Sequence, residues 1–279
     1  MGTIETQTIK DFTEFLKNDE KSEATAEKYL RDVSSFASYI GQGDISKESV
    51  IGYKRELIAS GYAPRSINSM LAAINKFLDF TGRGECRVKP IKLQQQIYCP
   101  EEKELTREEF TRLALTARDT GNTRLYMLLL TVCATGIRVS ELKYVTVEAA
   151  KQGSVSVSCK GKTRIIFIVS ELQNKLLRYA AEQGLGTGCI FVTRSGRPMV
   201  RSNIWKEMKD LCGKANVDQA KVYPHNLRHL FARVFYDIDK DIAKLADTLG
   251  HSSINTTRIY IVSTGCEHRK IIEKMKLII

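Results

Sequence analysis

Nowhere in its 279 residues does the chain assemble anything near the ~20 consecutive apolar residues that a membrane-crossing helix requires. The N-terminus lacks the basic stretch followed by an apolar one that directs secretion. Met1-Gly2-Thr3-Ile4-Glu5-Thr6 does fit a myristoylation pattern, but so short a pattern matches by chance and no other feature points to lipid. Cys-x-x-Cys is missing as well. The seven cysteines, Cys86, Cys99, Cys133, Cys159, Cys189, Cys212 and Cys266, are odd in number and scattered, which argues against a disulfide framework or a zinc ribbon and for reduced thiols. These absences lead to the expectation of a soluble, cytoplasmic protein with no membrane partner.

What is present is globular: 43% hydrophobic and 27% charged residues, in a length that can bury one large core or two modest ones. The net charge of +11 favours a polyanionic partner. Its distribution is uneven, −1 over residues 1–84 and +12 over residues 85–279, so the positive field belongs to the second part.

Apolar residues recur at helical spacing in four early segments, marked by Ile9, Phe12, Phe15 and Leu16; Tyr29, Val33, Phe36 and Ile40; Val50, Ile51, Leu57 and Ile58; and Ile67, Met70, Leu71, Ile74, Phe77 and Leu78. This predicts a small helical bundle over residues 1–84. By itself the bundle says only that something packs here. Residues 85–104 hold two prolines, the Gln run 94–96 and charge without periodicity, which reads as a linker. Thr106-Arg107-Glu108-Glu109 has capping-box form and opens a second domain, residues 105–279. Leu125 to Ala134 is apolar nearly all round and predicts a buried helix stopped at Gly136. Val155 and Val157, a turn at Lys160-Gly161-Lys162 and the run Ile165 to Val169 predict an antiparallel hairpin in a domain that is otherwise mainly α. Trp205, at helical spacing from Met208, is expected to be buried.

Chemistry concentrates late in the chain, where three of the four histidines lie between His225 and Tyr260. With Pro224 opening a helix, His225 and Arg228 stand three apart on one face, so an imidazole and a guanidinium can converge on one small anion. His225 and His229 also have the i, i+4 spacing of a helical zinc site, but Glu does not follow His225 and no third ligand stands at a metalloprotease spacing, so no metal is expected. Far upstream lies a second cluster, Ala134-Thr135-Gly136-Ile137-Arg138-Val139-Ser140-Glu141-Leu142. Taken alone, Arg138 would be an ion-pair partner of Glu141.

Together, Ala-Thr-Gly-x-Arg-x-x-Glu-Leu, then His-x-Leu-Arg-His, then Leu-Gly-His followed nine positions later by Tyr, resemble the tyrosine recombinase (integrase) family, and in length the chain is similar to the Xer-type members. The resemblance implies a helical core-binding domain followed by a mixed α/β catalytic domain, closing on double-stranded DNA at a specific recombination site. It implies Arg138 and Arg228 as a clamp on the non-bridging phosphate oxygens, Tyr260 as nucleophile, His225 as base and His251 as donor to the phosphate. Lys160 falls where the family places a lysine that protonates the leaving 5′ oxygen, with Lys162 as local rival; Glu141 orients Arg138, and His229 supports the site from behind. Lys54, Arg55, Arg65 and Lys76 are the expected phosphate contacts of the bundle. No cofactor is expected, because the phosphotyrosine retains the free energy of the broken bond.

Four protomers would assemble on two duplexes, each donating its segment Thr264 to Ile279 to a neighbour. The alternatives are a non-catalytic DNA-binding regulator on the same scaffold and a type IB-like topoisomerase. Absence of a further N-terminal domain suggests simple core sites. Ile261-Val262-Ser263, where Xer proteins commonly have Thr-His after the tyrosine, puts chromosome dimer resolution in doubt and leans the reading toward a mobile-element integrase.

Overall fold

Amphipathic spacing accounts for the first part of the chain in this computed structural model, which describes residues 6–93, 104–159, 162–251, 253–260 and 273–275. The helices α1 (Thr6–Asn18), α2 (Glu23–Ile40), α3 (Lys47–Ala59) and α4 (Pro64–Phe80) follow one another through short turns. Phe12, Leu16, Val33 and Phe77 close one apolar cluster; Phe36, Val50, Tyr53, Leu57, Ile67, Leu71, Ile74 and Leu78 close a second. Each large side chain buried in this way contributes about 1.5–3 kcal/mol. The start of α3 is held by Ser46 and Ser49, which cap each other reciprocally, and α4 starts on Pro64, whose missing N–H costs nothing in a first turn. Ile58 departs from the expected core and is exposed, because the buried stripe of α3 runs through Val50, Tyr53 and Leu57 instead.

Residues 85–93, expected within a linker, pack on this bundle. After a 3-10 turn, Gly84–Cys86, the chain runs extended beside α4, and two asparagines two helical turns apart grip its backbone. Asn75 donates to the Val88 carbonyl at 3.0 Å and accepts from its N–H at 3.1 Å; Asn68 does the same for Ile91 at 2.9 and 2.7 Å. Absence of helical periodicity in this stretch meant absence of a helix, not absence of packing. The chain falls into two compact units, residues 1–95 and 96–279.

In the second unit α5 (Arg107–Asp119) starts on the reciprocal Thr106/Glu109 cap, and α6 (Thr123–Thr135) is buried on most of its surface. Thr131 and Thr135 satisfy their hydroxyls inside the core by donating to carbonyls one turn back, at 2.7 and 2.6 Å. A 3-10 segment, Val139–Tyr144, and α7 (Val147–Gln152) lead to the hairpin β1 (Ser154–Cys159) and β2 (Lys162–Phe167), paired from Ser154↔Phe167 to Cys159↔Lys162. Val155, Val157 and Ile166 face the core, while Ile165 and Phe167 face outward. Next come α8 (Ser170–Glu182), α9 (Arg201–Ala215), α10 (Pro224–Asp239), α11 (Ile242–Leu249) and α12 (Ile254–Arg258). The architecture is thus mainly α with one small antiparallel sheet.

Trp205 is a correction: it is 49% exposed, because the buried stripe of α9 runs through Ile204, Met208, Leu211 and Cys212 and leaves the indole on the rim, under the Lys209 ammonium. Of the expected docking segment Thr264 to Ile279, all but residues 273–275 lie outside the described residues. No described helix is long and apolar enough to cross a membrane.

Candidate active site

The carboxyl end of α11 gathers the site. A helix leaves its last carbonyls without partners and carries partial negative charge there. Three consecutive carbonyls of this end each meet a different arginine. The Thr248 oxygen accepts from Arg164 Nη1 at 2.9 Å, the Leu249 oxygen from Arg228 Nη2 at 2.6 Å and the Gly250 oxygen from Arg138 Nη2 at 3.2 Å. Gly250 makes this possible. Its φ of +63° ends the helix in the left-handed region, and a Cβ there would overlap the Arg164 stem.

Arg228 is the most deeply placed of the three, only 2% exposed. It rises from the first turns of α10, also donates to the Gly136 carbonyl at the end of α6, and lies 3.2 Å from His251 Nε2. Burial, then the neighbouring Arg138 charge, pull its pKa down to about 10, so it remains a cation at neutral pH. Its Nε has no hydrogen-bond partner among the described residues, leaving one donor of a buried cation unused.

Arg138 stands just before the 3-10 segment and is fixed by Glu141. The carboxylate accepts from the Arg138 guanidinium at 2.8 Å and from its backbone N–H at 2.9 Å. Burial pushes the Glu141 carboxyl up, but the Arg138 hydrogen bonds and the Arg164 and Arg138 charges outweigh it and hold its pKa below the ordinary value. The ion pair expected for Arg138 in isolation is therefore present together with its place beside Arg228.

The three histidines surround the Tyr260 ring. Ring centroids lie 5.5 Å away for His225, 4.2 Å for His229 and 5.3 Å for His251, the last nearly parallel. Tyr260 lies in the turn just beyond α12, with its N–H on the Thr257 carbonyl at 2.9 Å. It is 4% exposed, packed with Ala232, Leu245 and Leu249, and its hydroxyl is 3.4 Å from His225 Nε2. His251 Nδ1 is 2.8 Å from the hydroxyl of buried Thr257. Because arginine can only donate, His251 Nε2 faces Arg228 as an acceptor, and the ring proton sits on Nδ1, toward Thr257.

Burial, followed by adjacent positive charge, depresses all three imidazoles. His225 falls below its usual value through burial, then Arg228, Arg201 and Arg138. His229 and His251 fall from 6.5 to about 4. All three are neutral at pH 7, as a base and two hydrogen-bonding rings require. A consequence for stability follows. Between about pH 6.5 and 4 the unfolded chain binds protons that the folded state refuses, so the histidines' contribution to stability is constant above pH 6.5 and falls as pH drops through this window. His229 contributes up to about 1.4 kcal/mol per pH unit and half-exposed His251 less, since solvent screens it. Denaturant unfolding at pH 7.5, 6.0, 5.0 and 4.5 measures this, and His229→Gln should flatten the slope; an unchanged slope would place the titrating groups elsewhere.

Lys160 lies outside the described residues, and Lys162 is the first residue of β2. In the first unit Lys54 and Arg55 line one groove with Lys47, Arg87 and Lys89, and Lys54 donates to the Lys89 carbonyl at 2.8 Å. Arg65 is exposed in the first turn of α4. Lys76 is 3.0 Å from Asp19 and covers the Phe15 ring, which makes it the least available of the four for phosphate. Sequence reasoning missed Arg164, Thr257 and Arg201. Arg164 had a signal: it is in phase with Ile166 and Ile168, an arginine on the inward side of a half-buried strand.

The sequence pattern of the phage integrase family matches residues 103–265, and that of its N-terminal SAM-like domain matches residues 9–84. Tyrosine recombinase XerA of Thermococcus kodakarensis is 30% identical, over 98% of this chain and 96% of its own length. XerA of Pyrococcus furiosus is 28% identical, over 99% of this chain and 96% of its own. Among solved structures, the XerH site-specific recombinase bound to its difH substrate before cleavage shares the fold, with a TM-score of 0.71 at 17% identity, over 95% of this chain and 84% of that one.

Proposed function

This chain belongs to the phage integrase family of tyrosine recombinases, and from that premise we propose that it recombines duplex DNA at a specific site through a 3′-phosphotyrosine on Tyr260. The observation that carries the reading is the meeting of the Tyr260 hydroxyl, a neutral imidazole and two buried or half-buried arginines at one helix end. A phosphodiester repels nucleophiles by its own negative charge. Arg138 and Arg228 bind its non-bridging oxygens and stabilise the charge that accumulates as the fifth bond forms. The Tyr260 oxygen attacks phosphorus while its proton passes to His225 Nε2, and the 5′ oxygen leaves with a proton supplied by Lys160. To donate to the phosphate, His251 moves its proton to Nε2, so its contact with Arg228 opens as the phosphate enters. Rejoining is the same path reversed: the 5′ hydroxyl of either duplex attacks the phosphotyrosine and Tyr260 regains its proton.

The first unit serves as a DNA clamp, with Lys54 and Arg55 reaching the backbone from their shared groove. Four protomers on two sites carry out the exchange. Full-length relatives bear Xer names, which gives the mobile-element lean no support; that lean came from Ile261-Val262-Ser263, outside the described residues.

Nicked genomic fragments of the host, incubated with the protein in excess EDTA, test the reading. Recovery of one DNA sequence covalently bound to denatured protein is expected, since the arginines do the electrostatic work that a metal would otherwise do. Adduct that appears only with added magnesium would overturn the metal-free path, and binding without any adduct would favour a regulator. Plasmid relaxation by isolated monomers, without recombinant products, would favour a topoisomerase.

The recovered duplex also tests the lysine. Lys160→Ala should slow cleavage by about 10²–10⁴-fold, as expected for loss of a general acid, and recover when sulfur replaces the 5′ bridging oxygen, because thiolate departs without a proton. Rescue of Lys162→Ala instead would move the role two residues along.

A further inference from the structure

We propose that Arg164 is a positioning residue for this reaction: its guanidinium joins β2 to Glu141 on one side and to the end of α11 on the other, and thereby sets where Arg138 and His251 stand. The inference rests on the recombinase reading and adds a residue to it. Arg164 is nearly buried, its side chain 12% exposed, and its planar fork is divided between two acceptors. Nη2 lies 2.5 Å from Glu141 Oε2, and Nη1 lies 2.9 Å from the Thr248 oxygen. Glu141 is thus shared: Oε1 holds the Arg138 guanidinium, and Oε2 holds both the Arg138 N–H and Arg164.

The same arrangement brings three guanidiniums close together. Their repulsion is offset by the partial negative charge at the end of α11 and by Glu141, which lies under two of the three. Arg138 and Arg228 are left with donors for a phosphate, whereas Arg164 spends its fork on protein acceptors. The residue after the three bonded carbonyls is His251, so the bond to Thr248 also fixes where the imidazole begins. Gly250 leaves room for the Arg164 stem to pass. An ammonium at this position could reach one acceptor or the other, not both.

The test uses the full chain and the duplex recovered by covalent capture, with single-turnover adduct formation and duplex Kd measured separately. Arg164→Met should slow adduct formation about 100-fold, the cost of a small misplacement of reacting groups, with Kd within about threefold. Arg164→Lys, which keeps the charge, should fold normally and be slowed about tenfold. Combined with Glu141→Gln, the Arg164→Met loss should fall well short of multiplicative, because both act on Arg138. A pH profile separates charge from shape. His251 faces Arg228 and His225 from α10, Arg138 from the start of the 3-10 segment, Arg164 from β2, and the Tyr260 ring. Removing the Arg164 charge should move the acidic limb of cleavage to higher pH in Arg164→Met and leave it in place in Arg164→Lys.

Parent rates in both variants, a rate loss matched by an equal loss of affinity, multiplicative combination with Glu141→Gln, or failure of both variants to fold would each overturn the assignment. Absence of adduct in the unsubstituted protein would remove the recombinase reading itself, and this inference with it.

Discussion

Tyr260→Phe binds the recovered duplex with a Kd within about twofold of the unsubstituted protein and forms no covalent adduct. The substitution removes one oxygen. The ring remains packed with Ala232, Leu245 and Leu249 and flanked by His225, His229 and His251, so the fold loses the long 3.4 Å contact to His225 Nε2 and the hydroxyl's interaction with Arg228. At that length the contact contributes little to stability, and the melting temperature should stay within about 2 °C. Phosphate affinity resides in the arginines, which the change leaves in place, Arg228 being held by the Gly136 and Leu249 carbonyls. Denaturing gels with labelled nicked duplex decide the matter: a surviving protein–DNA band would mean that another residue is the nucleophile. Unlike the other variants, this one separates binding from chemistry, since it removes the attacking oxygen and keeps the ring.

Arg228→Ala is expected to lose cleavage by at least about 10³-fold and stability at the same time. The rate loss follows from removing a charged donor to the developing negative charge, an effect of about 10²–10³ for a single neutral donor and more for a buried cation. The stability loss has a separate cause: the Gly136 and Leu249 carbonyls, both satisfied by this guanidinium, would be left buried and unpaired at about 1–3 kcal/mol each. Arg228→Lys distinguishes the two. Its ammonium can satisfy one carbonyl and keep the charge, so the melting temperature should recover partly while cleavage stays at least about tenfold down, because the fork that spans carbonyls and phosphate is gone. Melting and single-turnover rates measured on both variants provide the check. Cleavage by Arg228→Lys at the parent rate would show that charge alone suffices.

The His229 and His251 values bear on both measurements. Cleavage assays belong at neutral pH or above, where these rings are neutral in folded and unfolded chain alike. Below about pH 6.5 a rate loss would mix chemistry with unfolding.

Local pattern determined much of this protein. Helical spacing of apolar residues placed α1 to α4, the apolar surround of Leu125 to Ala134 placed α6, the Thr106/Glu109 box placed α5, and alternation around Gly161 placed the hairpin, because each of these depends on neighbours within a turn or a strand pair. The three motifs pointed to the family, and with it to Arg138, His225, Arg228, His251 and Tyr260 as a set. Where burial depends on distant surfaces, pattern was a poor guide. Trp205 looked like core and lies on the rim, and residues 85–93 looked like a free linker but are gripped by Asn68 and Asn75.

Only the tertiary structure decided how the site is held. The hydrogen bonds that bring Arg138, Arg164 and Arg228 to one helix end join residues 112, 84 and 21 positions apart. No local spacing encodes them, since an arginine with a carbonyl to cap looks the same in sequence as one in water. What selects these partners is the fold of α6, α10, α11 and β2, which buries the Leu249 carbonyl, half-buries that of Thr248 and brings the three guanidiniums to the one helix end where the carbonyls of Thr248, Leu249 and Gly250 lack helical partners.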